Sequence, residues 1–250
     1  MPGARLVVLG SSGAWPAPGR ACNGFLLEHP DFRVALDLGH GTLSRLLQHL
    51  RSPVAEGLDA VVVTHDHPDH VVDLHALLRA RLYDGGHLPR IALYAPEAVV
   101  ERIAWLEDAE RSAVDRAFDW KPLPAAHAVG PFRLESWSLP HYVPNAGVRL
   151  TAREYAVAYT GDTGPSPALA ELGRDADLFI VDATDPPRSE AAMNLTAREA
   201  GAAATAAGAR RLMLTHFWPG NDRARARAEA AEAFSGEILL AEEGAVVDLP

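Results

Sequence analysis

The 250 residues predict an α/β protein, a single domain spanning 1–250 in which helices cover apolar sheets. Three observations lead there. Apolar runs such as Ala60-Val61-Val62-Val63 and Leu178-Phe179-Ile180-Val181 have the composition of strands buried on both faces. Between such runs lie segments with helical spacing, as in Leu43, Leu46, Leu47 and Leu50. No linker or low-complexity stretch divides the chain.

Taken in order, Arg5–Leu9, Gly24–Glu28 and Arg33–Leu38 read as strands, separated by Gly, Pro, Asn and Asp. A helix over Leu43–Leu50 follows, then a strand over 59–63, a histidine-rich turn, and a helix over Val71–Tyr83. Ile91–Tyr94 reads as a strand. Pro96 suits the first turn of a helix that runs to about Ala109. Phe132–Leu139 and Val148–Thr160 are expected as strands, the latter as two with a turn near Ala152-Arg153. Pro167–Leu172 is a short helix and Leu178–Val181 a buried strand. Thr196 followed by Glu199 has capping-box spacing for a helix ending at Gly208. A strand over Arg211–Thr215, a helix over Asp222–Phe234 and strands over Ile238–Leu240 and Ala245–Asp248 complete the pattern.

A net charge of −10 argues against a broad nucleic-acid-binding face, though not against a small basic pocket. Lys121 is the only lysine, which reads as codon bias. Cys22 is the only cysteine, so no intramolecular disulfide forms, as befits a cytoplasmic protein. Leu6-Val7-Val8-Leu9 is too short for a signal-peptide core, and no apolar run reaches the length of a membrane span, so no membrane partner is expected.

Chemistry concentrates in Thr64-His65-Asp66-His67-Pro68-Asp69-His70, at the end of an apolar strand. Imidazoles and carboxylates at this density suit zinc, and also manganese or iron. Chance gives His-x-His-x-Asp-His at roughly one position in a million. In an extended turn His65, His67 and Asp69 point one way and His70 the other, so that one turn serves two metals. Three later strands end in the same manner: His141 after Leu139-Pro140, Asp162 after Thr160-Gly161, and His216 after Thr215.

The histidine cluster, a lone His, a Gly-Asp and a late Thr-His together resemble the metallo-β-lactamase superfamily. The match is nearer its ribonuclease Z-like and small phosphodiesterase branch. Leu9-Gly10-Ser11-Ser12-Gly13-Ala14-Trp15-Pro16-Ala17-Pro18-Gly19-Arg20, Leu36-Asp37-Leu38-Gly39-His40-Gly41-Thr42 and Asn194-Leu195-Thr196-Ala197-Arg198-Glu199-Ala200-Gly201 resemble further segments of that branch. The resemblance implies a four-layer αββα sandwich with its site at one edge, between the sheets. It implies His65, His67 and His141 on one divalent ion, Asp69, His70 and His216 on a second, and Asp162 bridging both. Zinc is favoured by the imidazole count, with manganese and iron as alternatives. Such a pair acidifies a shared water to a bridging hydroxide. Asp37 is expected to orient the histidine-rich turn; Thr64 and Thr215 either do similar work or are strand-favouring residues. Asp66 is expected at the solvent or the site mouth. Phe217, Trp218 and Trp15 belong to the pocket wall or to ordinary packing. His29, His40, His49, His75, His87 and His127 fit no ligand position.

Two departures from ribonuclease Z bear on the substrate. Where that family carries His-Glu-Ala-Thr, this chain reads Val181-Asp182-Ala183-Thr184. Where it carries a further His, this chain has Asn194, which neither gives up a proton to become a stable anion nor acts as a base. The stretch from His141 to Asp162 has room for two strands and a turn, not for a tRNA-gripping arm. The expectation is a binuclear hydrolase of a small phosphodiester or short nucleotide, with Asp69 and Asp182 as its catalytic carboxylates, no tRNA partner, and a homodimer as in many of the family. Lactone or thioester hydrolysis on the same site, and a metal-bearing binding protein without turnover, are the alternatives.

Overall fold

The computed structural model describes residues 3–84, 88–108, 111–184 and 193–250. Two seven-stranded sheets pack face to face. The first contains β1 (Arg5–Gly10), β2 (Gly24–His29), β3 (Phe32–Leu36), β4 (Ala60–Val62), β5 (Ile91–Ala95) and β6 (Phe118–Pro122). The second contains β7 (His127–Val129), β8 (Phe132–Leu139), β9 (Asn145–Thr151), β10 (Ala156–Tyr159), β11 (Leu178–Asp182), β12 (Arg211–Thr215) and β13 (Glu237–Leu240). The last strand, β14 (Val246–Asp248), returns to the first sheet and pairs antiparallel with β1. The helices are α1 (Thr42–Leu50), α2 (Pro68–Leu82), α3 (Glu97–Leu106), α4 (Arg111–Ala117), α5 (Ala168–Leu172), α6 (Ala197–Ala207) and α7 (Arg223–Ala231).

Strand alternation explains the continuous apolar runs. Phe25 and Leu27, Val34 and Leu36, and Ala60 and Val62 turn inward and meet Val157, Tyr159, Leu178, Ile180 and Met213 of the opposing sheet. Their neighbours Leu26, Ala35 and Val61 turn outward under α1–α4. On the other side Ala158, Phe179, Val181, Leu212 and Leu214 lie under α5–α7. Each central strand is thus buried on both faces, and the result is the expected four-layer αββα sandwich.

Strands β3 to β6 run parallel, as do β10 to β13. The residues just beyond β3, β4, β10, β11 and β12 therefore gather at one edge of the sandwich, where open α/β sheets place their ligands.

Three elements lie outside the sequence reading: α4, β6 and β7. Both strands are sheet edges, where Phe118-Asp119-Trp120-Lys121-Pro122 can carry charge and end in proline. The expected C-terminal limit of α3, Ala109, and His87 lie outside the described residues. Helix α2 begins at Pro68, three residues earlier than expected, because proline's fixed φ and missing N–H suit the first helical position.

A candidate metal centre at the sheet edge

The early start of α2 reshapes the histidine motif. His65 and His67 stand on the loop after β4, whereas Asp69 and His70 occupy the first turn of the helix. The expected extended alternation, with Asp69 on the side of His65 and His67, does not occur. Pro68 is the divide, and Asp69 falls with His70.

The structure brings all seven sequence-predicted side chains together. His65, His67, His141 and Asp162 form one group, Asp69, His70, Asp162 and His216 the other, and within each group the ligand atoms lie within 4.8 Å of one another. Asp162 belongs to both. His67 Nδ1 is 3.2 Å from His65 Nε2 and 3.1 Å from His141 Nε2. Asp162 Oδ2 is 3.1 Å from His216 Nε2, 3.7 Å from His141 Nε2 and 4.0 Å from His65 Nε2. Asp69 Oδ2 is 3.1 Å from His216 Nε2 and 3.6 Å from His70 Nε2. His70 Nε2 and Asp162 Oδ1 lie 3.2 Å apart. Both atoms are buried, yet neither makes a well-aligned hydrogen bond among the described residues. Each stands among the other nitrogen and carboxylate atoms of its group, and this donor set fits a divalent cation.

The far sides of the imidazoles are tied down. Asp37 Oδ2 accepts from His70 Nδ1 at 2.7 Å and from the Tyr159 hydroxyl at 2.7 Å, and Asp37 Oδ1 accepts from the Thr64 amide at 2.8 Å. Thr64 Oγ1 lies 2.9 Å from Asp37 Oδ2 and 3.0 Å from His65 Nδ1. The Met193 carbonyl is 2.8 Å from His141 Nδ1. Thr184 Oγ1 is 2.6 Å from His216 Nδ1 and donates to Asp182 Oδ1 at 2.6 Å. Asn194 Nδ2 donates to Asp182 Oδ2 at 2.9 Å. Asp182, fully buried, therefore stands behind His216, 3.6 Å from its Nδ1. Thr215 does not repeat the work of Thr64; its hydroxyl donates to Asn23 Oδ1 at 2.7 Å.

Charge balance is consistent with a cation site. Burial favours neutral His65 and His67 and holds both below the usual imidazole value. Burial also acts on His70 and His216, but Asp162 and the carboxylates beside it outweigh it, raising His70 well above its usual value and His216 to about 10. The carboxyls of Asp69 and Asp162 are held low by those imidazoles against the opposing effect of burial. Burial and Asp37 keep the Tyr159 hydroxyl protonated, so it remains a donor.

Backbone strain collects here. Ala14, Asp37 and His216 have φ of 59°, 54° and 60°, the left-handed region that side chains with a Cβ avoid. At Ala14 that conformation delivers its N–H to Asp69 Oδ2 at 2.7 Å. Gly39 is required for a different reason: a Cβ there would sit 1.8 Å from the Asp69 carbonyl oxygen.

Sequence reasoning missed Thr184, Tyr159, Asn23 and the Ala14 amide. Thr184 and Tyr159 had a signal, since each lies within a few residues of a predicted site residue; a backbone amide has none. Asp66, expected at the solvent or the site mouth, is buried and paired with Arg102 at 2.5 Å. Phe217 is buried beneath the Arg223 guanidinium, 4.5 Å from the ring centre. His49 pairs with Glu28 and His75 with Glu107, away from the site.

A family model described as a beta-lactamase superfamily domain matches residues 33–217. The chain belongs to the metallo-β-lactamase superfamily. It is 30% identical over 249 residues to a probable metallo-hydrolase, YhfI, of Bacillus subtilis, covering 97% of this chain and 98% of that protein. The crystal structure of YhfI superimposes with a TM-score of 0.87 at 28% identity, over 98% of this chain and 99% of that one. Ribonuclease Z of Kineococcus radiotolerans is 30% identical over a 302-position alignment that covers 98% of this chain and 95% of the relative. The chain is accordingly a metal-dependent hydrolase of the ribonuclease Z-like part of the superfamily, and its His/Asp cluster supports divalent metal binding. Among the described residues no helix is long and apolar enough to cross a membrane.

Proposed function

We propose that this superfamily member is a binuclear phosphodiesterase acting on a small phosphodiester or short nucleotide. The observation that carries the binuclear reading is the shared carboxylate: Asp162 belongs to both ligand groups. His65, His67 and His141 would hold one divalent ion, and Asp69, His70 and His216 the other, with zinc favoured by five imidazoles among seven ligands. When bound, such a pair acidifies water and neutralises charge developing at a phosphoryl group.

The chain's own residues supply position and proton control. Asp37, Thr64 and Thr184 hold the ligating imidazoles from behind, and the Ala14 amide donates to Asp69 Oδ2, the oxygen that also faces His216 and His70. Of the two carboxylates assigned catalytic roles, Asp69 stands at the ligand cluster. Asp182 accepts from Thr184 and Asn194 and acts through His216 rather than on a leaving group. Asn194 is no proton donor of the kind a poor leaving group needs, which favours diesters whose leaving groups are already good.

A small substrate is supported by the stretch between His141 and Asp162. It contains only β9, a short turn and β10, and the alignment with ribonuclease Z is longer than this chain, so the relative carries insertions. A tRNA partner is therefore not proposed. Protein loaded with Zn²⁺ or Mn²⁺, its metal content measured, should cleave bis-p-nitrophenyl phosphate well above a His67→Ala control. Two metals bound per chain without turnover of that ester, while a lactone or thioester is cleaved, would overturn the assignment.

A further inference from the structure

We propose that Trp15, Trp218 and Tyr142 form an aromatic rim that stacks against the base of a nucleotide whose phosphodiester lies over the two ligand groups. The inference rests on the phosphodiesterase reading and narrows it to nucleoside-bearing diesters.

Trp15 sits on the loop between β1 and β2 and is 49% exposed. That loop is fixed against the site at two points. The Ala14 amide donates to Asp69 Oδ2 at 2.7 Å, and a Cβ on Gly13 would meet the His216 ring at 2.7 Å. The positive φ of Ala14 sets the direction in which the chain leaves for Trp15. Trp218 follows two residues after His216, and its ring lies 6.0 Å from that of Trp15 at a tilt of 46°. The two indoles thus make one angled wall beside the Asp69–His216 side of the site. Opposite, Tyr142 follows His141, meets its ring edge-on at 5.3 Å and is 69% exposed. Flat apolar faces therefore stand next to each ligand group, on loops fixed by the residues that build it.

A nucleotide offers a π-face that stacks on any aromatic ring. A simple alkyl diester has none. Loss of one base–aromatic stack corresponds to about 5- to 150-fold in binding.

Two esters with the same leaving group isolate this effect: thymidine 5′-(p-nitrophenyl phosphate) and methyl p-nitrophenyl phosphate, compared on zinc-loaded protein of measured metal content. The native chain should show at least about tenfold higher kcat/KM on the nucleoside ester. Trp15→Ala and Trp218→Ala should shrink that ratio by about 5-fold or more, and Trp15→Phe should restore most of it. Thymidine monophosphate should quench tryptophan fluorescence in the native protein and less so in Trp15→Ala. Turnover of both esters with no preference for the nucleoside, or an unchanged ratio in Trp15→Ala, Trp218→Ala and Tyr142→Ala, overturns the rim alone. Turnover of neither ester overturns the phosphodiesterase reading and the rim with it.

Discussion

Two threonines do matching work on opposite sides of the site. Thr64 Oγ1 bridges Asp37 and His65 Nδ1, and Thr184 Oγ1 bridges Asp182 and His216 Nδ1. A threonine hydroxyl has one hydrogen; here the carboxylate takes it, so the imidazole must donate its Nδ1–H to the threonine oxygen. That fixes the tautomer and leaves Nε2 with its lone pair directed at the metal position. Thr184→Val is nearly isosteric but cannot accept from His216 or donate to Asp182. It should lower metal affinity about 10- to 100-fold in a chelator competition, with Thr184→Ser retaining most of it. Equal affinity in the valine and serine variants would show that packing alone holds His216.

At the scale of elements, legibility followed burial. The central strands and the Thr196–Glu199 capping box of α6, closed by Gly208 at φ 67°, could be read because period, composition and cap chemistry agree there. The edge strands β6 and β7 were not legible, because an edge tolerates charge and proline and carries little apolar pattern. The residues that gather at the sheet edge were legible, being rare residue types at strand ends. Their grouping agrees with what the family resemblance implied; the alternation of an extended turn, which set Asp69 beside His65 and His67, failed because α2 begins at Pro68. Pairing across elements was equally hidden. Glu28 on β2 meets Arg5 on β1, Arg33 on β3 and His49 on α1, at 2.7, 3.0 and 3.2 Å. Burial pushes this carboxyl up, but those three partners outweigh it and hold it below the usual range. A folded-state pKa below the unfolded one stabilises above the unfolded value and is lost as pH falls through the folded value. Glu28→Gln should therefore cost on the order of 1 kcal/mol at pH 7, read from urea midpoints, and the cost should fade by about pH 3. A pH-independent difference would assign the loss to packing instead of charge.

On the whole molecule, the His/Asp cluster joins the two halves of the sandwich. His65, His67, Asp69 and His70 follow β4 of the first sheet, whereas His141, Asp162 and His216 follow β8, β10 and β12 of the second. The sheets share an apolar interface, and a cation bound only by the assembled site adds its binding energy to the folded state. At free metal about 100-fold above Kd that is about 2.7 kcal/mol, or roughly 5–10 °C in Tm for a chain of this size. Removal of metal by a chelator should lower Tm by that amount without abolishing cooperative unfolding, as measured by calorimetry on the same preparation before and after metal is restored. His141→Ala and His70→Ala take one ligand from each group, so each should leave a smaller, metal-dependent increment. Because every ligand must be deprotonated to bind, the increment should shrink as pH falls from 8 to 6. A Tm indifferent to metal in protein shown to carry it would mean that the seven side chains bind the ion without coupling the two sheets.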